Sequence, residues 1–544
     1  MSSSRPVYRS GMLRAATAVL TLTAVLLSLC TTVVYAQTPK KKLSGGLNLP
    51  TSSQVFPSLN AVEDYMVLLS NYTNSGDYEL MYSPRTGMDT WDRAVPIPNL
   101  HKPRLDHMGS YCLSHDGRFL LFSSTRSGGV GKYDIWISER RGNAWSTPQN
   151  PGKPLNSPGN EGNPSLSPDG NTLYFMRCET MTVNEKSGCR LYRSRRRPGN
   201  RWSEPEPLPF NSGHDTTPRI LIDNRSLIFA SNREGGMGSM DLYLSREEEG
   251  GWTDPVALDF LNTPRNDEYV AIPAKGDVVY YTDRDRDQYQ IYKAMIPESM
   301  RPDPVLLLTG AVTFADSGLP ATGSLVQATD SQRARVVSQT RADTPEGGFF
   351  MVLGSGASYD LLFAPPGPGY AFAAVNIDLR SAVRPAWEQP NISLPRLDPG
   401  LQIPLPALQF GQEEDILPDN AERELGVIAR LLQMNPGLSL EVGIADEKFD
   451  DLPLDDSEFT VFGVEMPMDT IPSPDQFSGN QLMPDQDQGF TDEEAAGEPL
   501  CTRRARAVAA YFIERGLPEE RISWRSGCYD SQSGDALLHF TVLE

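Results

Sequence analysis

Between residues 55 and 300 the chain alternates short apolar runs with polar, Gly- and Pro-bearing turns, and the alternation repeats. One unit shows the pattern: LSPDG at Leu166–Gly170 is a turn, TLYFMR a strand, CRLYRS a second strand, and WSEP the start of a third. Pro presets φ in such a turn and Gly supplies the positive φ that ends it. The same order recurs as LSHDG, RFLLFSSTR, GKYDIWIS and NAWSTP, then as LIDNR, SLIFASNR, SMDLYLS and GWTDP. A worn first copy (VEDY, MVLLSNY, DYELMYS) and a fifth (PAKGD, VVYYTDR, YQIYKA) flank these. Trp91, Trp145, Trp202 and Trp252 mark four of the copies, and the fifth, ending at Tyr292, has none. Three or four short antiparallel strands every ~50 residues make one propeller blade, so the period predicts a five-bladed β-propeller over 55–300. At a repeated blade position the tryptophans are expected to pack between blades rather than to stack on a ligand.

The pattern changes after the Pro-rich MRPDPV. Alternating strands with Gly turns predict a small β-sandwich over 304–398. Beyond Pro404 the period becomes helical: Leu425, Ile428, Leu431 and Leu432 share one face of a helix over 419–434 that Pro436-Gly437 ends. LSLEVGIAD follows as a strand, RRARAVAAYFIERG as a helix with Gly516 at its C-cap, then RISWRSGCYD and ALLHFTV as strands. The fold class expected is multidomain and mainly β, ending in an α/β sandwich over 399–544.

The first 36 residues stand apart from this fold. Arg5, Arg9 and Arg14 precede an apolar stretch from Ala15 to Leu29, and Val34-Tyr35-Ala36 reads as a cleavage site, so 1–36 is expected to be a secretory signal peptide and 37–54 a linker. Leu29 before Cys30 is unlike the small residue that lipid attachment wants. Export permits disulfides. Cys178 and Cys189 flank an insert in the third repeat, Cys501 and Cys528 form the other pair, and Cys112 is left as a buried strand residue.

A net charge of −21 argues against a nucleic-acid partner. No cysteine spacing matches a zinc site, and His101, His107, His115, His214 and His539 are scattered, so neither metal nor other cofactor is expected. Asp283, Asp285 and Asp287 begin like a calcium loop, but Gly is missing at the sixth position and Ala294 stands where the bidentate Glu belongs; a solvated turn is the expectation. No G-x-S-x-G elbow occurs, so the chain is read as no enzyme.

The repeats resemble PD40 (TolB-type, WD40-like) propeller repeats in S-P-D-G, the apolar strand, S-x-R, the Gly-rich stretch and D-L-Y. L-x-G-x-V, G-x-F and Y-x-L at Tyr359 resemble carboxypeptidase regulatory-like domains. The C-terminal module resembles the OmpA-like peptidoglycan-binding domain: its opening phrase falls on Phe410–Pro418, G-H-T-D on Gly443-Ile444-Ala445-Asp446, and L-S-x-x-R-A on Leu500-Cys501-Thr502-Arg503-Arg504-Ala505. That resemblance implies that Asp446 and Arg504 hold the amino and carboxylate groups of the diamino acid in the peptide stem. The crossover geometry agrees, because parallel strands joined through a helix bring both strand ends and the helix N-terminus to one sheet edge. Asp446, the Cys501 turn and Cys528 therefore converge, which also suits a Cys501–Cys528 disulfide.

This chain departs from the family at Ile444, Ala445, Gly497 and around Leu537-Leu538. It also carries an acidic, Pro-rich insert over 447–498 with 15 Asp or Glu and a single Lys. The order of domains resembles that of a peptidoglycan-anchored accessory protein of the type IX secretion machinery. The expectation is an exported, non-catalytic scaffold of the periplasm, peripheral to the outer membrane, bound to peptidoglycan stem peptide and docking envelope proteins on its propeller. The alternative is a ligand- or carbohydrate-binding propeller whose OmpA-like end no longer binds peptidoglycan.

Overall fold

The computed structural model describes residues 39–543 except 73–77, 98–99, 101–110, 143, 183–184, 198, 200, 334, 382–385, 406–409, 412–413, 419–420, 446–497 and 529–537. The expected signal peptide with Cys30, and Asp446 with residues 447–497 of the acidic insert, lie outside the described residues.

Five antiparallel sheets follow one another between Lys41 and Met295 in a β-propeller layout. Each of the first four is built in chain order outward from an inner strand: Gln54–Leu59, Tyr111–Leu113, Asn160–Leu166 and Asp215–Ile220. Local chemistry sets the hairpins. In LSPDG, Gly170 takes φ 71° and the Ser167 hydroxyl accepts the Thr172 N–H at 2.8 Å. Three inner strands bulge at matching positions, where Phe56, Asn163 and Thr217 have positive φ, and Tyr269 of the fifth repeat has positive φ as well. Beside the bulges, the Ser58 and Ser165 hydroxyls accept the Leu113 and Ile220 N–H groups of a neighbouring sheet at 2.9 and 3.1 Å. Arg219 ties three sheets together, donating to the carbonyls of Tyr111 (2.7 Å) and Pro164 (3.1 Å).

The fifth sheet is assembled from both ends of the repeat region. Its hairpin, Val278–Asp285 and Gln288–Met295, has no outer strand downstream; Lys41–Lys42 supplies one, antiparallel to Tyr292 and Lys293. The register repeats that of the other sheets. Leu43 N–H bonds the Ile291 carbonyl at 3.1 Å, as Ile97, Leu208 and Leu258 bond Leu80, Leu191 and Leu242. Residues 41–48, expected in a linker, are therefore part of the ring. The reason is the edge of Gln288–Met295, whose unpaired backbone groups the N-terminal segment satisfies.

A side-chain clip secures the same joint. Asn48 accepts the Ile291 N–H at 2.9 Å and donates to the carbonyls of Ile291 (2.8 Å) and Leu43 (3.0 Å). Asn156, Asn211 and Asn262 clip Ile135, Leu191 and Leu242 in the same two-way fashion. Lysines add an electrostatic clasp: Lys40 pairs with Asp283 at 3.0 Å, Lys42 with Asp285 at 2.6 Å, and Lys41 with Asp89 at 2.5 Å. Asp283 and Asp285, expected in a solvated turn, thus lie at a strand end as acceptors for the N-terminal segment.

The tryptophans pack as expected of blade positions. Trp91 meets Tyr280 of the fifth sheet edge-on at 6.4 Å between centroids, and Trp252 meets Tyr174 of the third at 6.1 Å. Trp145 and Trp202 likewise sit in cores shared with the preceding sheet.

Residues 305–394 form two four-stranded sheets around one apolar core, with Leu308, Val312, Val326, Phe363 and Ile392 at its centre. This sandwich covers one end of the ring. Val305, Leu307, Phe350 and Val352 pack on Ala61, Ile222 and Ala274, which belong to the hairpin turns at that end. Arg225 pairs with Asp303 across the junction at 3.1 Å, and Arg118 with Asp343.

The C-terminal module is a four-stranded sheet in the order Gln402–Pro404, Leu538–Val542, Leu440–Ile444, Ile522–Trp524, packed with helices α1 (Ala421–Met434) and α2 (Leu500–Glu514). Leu425, Ile428, Leu431 and Leu432 are fully buried, as the helical spacing expects. Leu440–Ile444 and Ile522–Trp524 run parallel, joined through α2.

Two outcomes follow from the ring. Asn48→Ala should lower stability by about 2–3 kcal/mol in urea melts, since it strands backbone groups at the closing joint; a loss no larger than that of an exposed Asn→Ala change would count against the clip. His115 lies at the covered end with Nε2 3.3 Å from the Ile220 carbonyl, and burial pulls its pKa down to about 4. The unfolded chain protonates this ring near pH 6.5, so between about 6.5 and 4 the unfolded state binds the extra proton and stability falls as pH drops. The loss should reach at most about 3 kcal/mol, less where solvent reaches the ring. His115→Asn should flatten that part of the stability–pH curve.

Candidate functional site

The end of the ring opposite the sandwich carries the longer connections between second and third strands. The longest belongs to the third sheet. There Thr180–Met181 and Lys186–Ser187 form a small hairpin stapled at its base by the Cys178–Cys189 disulfide. It reaches the fifth repeat, which is not a neighbour of the third. Lys186 Nζ lies 2.7 Å from Glu268 Oε1 and 3.1 Å from Tyr269 Oη, and 4.9 Å above the Tyr269 ring. Thr216 of the fourth sheet donates to the same Glu268 oxygen at 2.8 Å.

Charge is stabilised here by pairing. Burial opposes the Lys186 charge, but the Glu268 carboxylate outweighs it and holds the ammonium pKa above its usual value. Burial works against the Glu268 charge as well, and Lys186 overcomes it, leaving that carboxyl below its usual range. His214, beside the hairpin, is pulled down by burial and then by Lys186. The ion pair joins the third repeat to the fifth, and pairing leaves neither partner poised for proton transfer at neutral pH.

Three carboxylates on matching inner-strand positions are likewise spent on the scaffold. Glu161 accepts from Ser157 and Arg177, Asp215 from Ser212 and Arg233, and Asp267 from Thr263. Burial raises Asp267 to about 6, against the pull of its Thr263 hydrogen bonds.

In the C-terminal module, α2 starts at Leu500 beside the end of Leu440–Ile444. Cys501 Sγ is 3.8 Å from the carbonyl oxygen of Ala445, the residue before Asp446, and Cys501 is bonded to Cys528. The three predicted pieces that are described (strand end, first helical turn and Cys528) do meet. Arg504 sits one turn further on, 2% exposed. Its Nε donates to the Glu414 carbonyl and its Nη2 to that of Gly411, both at 2.8 Å, with the guanidinium 5.2 Å from the Phe410 ring centroid. Arg503 pairs with Asp415 at 2.9 Å. Phe410, Gly411, Glu414 and Asp415 are thereby held against α2. Sequence reasoning placed the Phe410–Pro418 phrase in this module but did not join it to Arg504. It also missed Lys186 and Glu268, for which only the cysteines flanking Lys186 gave a signal.

Among the described residues no group of three or more His, Cys, Asp or Glu side chains is placed to hold a metal ion, and Cys112 is buried and unbonded. No helix among them is long and apolar enough to cross a membrane.

No protein-family model matches the chain, and no curated protein matches it. Solved structures similar to part of it include a protein assigned as TolB from Agrobacterium tumefaciens, 17% identical, covering 46% of this chain and 78% of that one with a TM-score of 0.29. TolB from Acinetobacter baumannii is 13% identical, covering 58% of this chain and 60% of that one, TM-score 0.25. An endo-arabinase from Bacteroides thetaiotaomicron is 14% identical, covering 48% and 98%, TM-score 0.31. Likenesses at this level carry no statement about chemistry; the propeller description rests on the strand pairing above.

The Lys186–Glu268 pair gives a direct test. Lys186→Met should cost about 3–5 kcal/mol by leaving Glu268 buried without its cation, and Lys186→Met with Glu268→Gln should recover most of it. Equal melting of the single and double variants would contradict the pairing.

Proposed function

We propose that the chain is a non-catalytic scaffold of the cell envelope: a five-bladed propeller closed by its N-terminal strand, held on a sandwich spacer, with an OmpA-like end that binds peptidoglycan stem peptide. The observation that carries the non-catalytic part is that the buried charges at the loop-bearing end of the ring are already paired. The sandwich packs on hairpin turns at one end, and the Lys186–Glu268 pair joins the third repeat to the fifth at the other. With these buried charges paired, the loop face and the outer flanks are the surfaces that suit docking of other proteins. Both disulfides are formed, in keeping with an exported protein.

For the C-terminal end, support comes from the strand end, the α2 N-terminus and the disulfide meeting at one sheet edge, with Arg504 in the next turn. A helix N-terminus beside a guanidinium suits a carboxylate, and a carboxylate at 446 would suit the amino group of the same zwitterion. Arg504 also holds the Gly411 and Glu414 carbonyls, so its removal perturbs structure as well as any ligand.

Co-sedimentation with purified peptidoglycan tests this. The wild-type chain should pellet, and Asp446→Asn should stay largely in the supernatant with an unchanged melting curve. Arg504→Lys, which keeps the charge but not the fork, should fall between. Wild type remaining in solution, or Asp446→Asn pelleting as well as wild type, would remove the tethering reading and leave the propeller as the functional part.

A further inference from the structure

The chain is acidic overall, yet six arginines fall within twelve residues at Arg190, Arg193, Arg195, Arg196, Arg197 and Arg201. Part of this run lines a groove of about 990 Å³ on the flank between the second and third sheets. Its apolar lining includes Phe119 and Ile137, both half-buried, and Trp202, which is 8% exposed. Arg196, Arg197, Arg201 and Lys153 line it as well, all exposed. Among the described residues none of these four forms an ion pair with a carboxylate, unlike Arg193 and Arg195, which share Glu206. The one carboxylate in the lining, Glu139, is already held by Arg118 and Arg141.

Four cations without a carboxylate partner among the described residues, gathered around an apolar recess, make a local positive patch on a chain of net charge −21. We propose that this groove binds an acidic polypeptide segment carrying apolar side chains, with Arg197, Arg201 and Lys153 meeting its carboxylates and the Phe119–Ile137 recess taking an aliphatic or aromatic residue. The inference rests on the protein-docking reading of the propeller and names where one partner sits. A short peptide fits better than an acidic polysaccharide. The Trp202 ring offers no open platform for a sugar, being nearly buried with the Arg196 guanidinium 5.1 Å from its centroid. A long polyanion would also meet the repulsion of the rest of the surface, whereas a segment of a few charges is attracted locally.

The test uses the full chain and a dye-labelled decapeptide of alternating Glu and Leu, read by fluorescence anisotropy at low and physiological salt. Wild type should bind it, more weakly as salt rises, and should not bind the Gln/Leu counterpart. Lys153→Glu with Arg197→Glu and Arg201→Glu, all surface changes, should weaken binding at least about tenfold with the thermal melt unchanged. Equal binding by the triple variant, or tighter binding of oligogalacturonate than of the peptide, would overturn the proposal. Cross-linking of the propeller in envelope preparations separates it from the wider reading. Cross-links on the loop face with no peptide binding would sink this groove alone, and an absence of propeller cross-links would sink protein docking itself.

Discussion

A propeller ring has two free edges until something joins them, and here the join is the pairing of Lys41–Lys42 with Tyr292 and Lys293. An inner hairpin without an outer strand exposes a row of unsatisfied amides and carbonyls, which in a soluble fold must meet water or another chain. The N-terminal segment removes that edge and fastens it three ways: ladder hydrogen bonds, the Asn48 clip on Ile291, and lysines on Asp283, Asp285 and Asp89. Trp91 and Leu43, from the two sides of the joint, then share a core with Tyr280 and Ile291. The contact spans 243 residues in the case of Asn48 and Ile291, so closing it costs loop entropy that only the completed ring repays.

Once the ring is closed, its two ends become different surfaces. Ala61, Ile222 and Ala274 sit in equivalent hairpin turns and together make an apolar floor that the sandwich covers. The other end keeps its long connections, and there the disulfide-stapled hairpin brings Lys186 to Glu268. Buried charges persist only when paired, so the Lys186–Glu268 contact stabilises both groups while it joins two repeats that are not neighbours.

In the C-terminal module Arg504 shows how much one guanidinium can hold together. Its position in α2 was legible from the R-A phrase, and its first duty in the fold is to satisfy the carbonyls of Gly411 and Glu414. A guanidinium has five donors in one plane, so a single side chain can satisfy two carbonyls of the same segment at once.

Periodicity determined much of this protein without coordinates. The recurring turn, strand and Trp phrases located the repeats, and helical spacing located α1 and its buried Leu425, Ile428, Leu431 and Leu432. The cysteines flanking the insert paired Cys178 with Cys189, and the crossover of parallel strands paired Cys501 with Cys528. These signals are local, because strand and helix periods are written over a few residues and a disulfide across a short hairpin needs only nearby chain. The outer strand at Lys41–Lys42, the reach of Lys186 to Glu268 and the hold of Arg504 on Gly411 and Glu414 were decided by tertiary structure alone. Each joins residues tens to hundreds of positions apart, and a lysine run or a lone Asn carries no period that would reveal its partner before the ring closes.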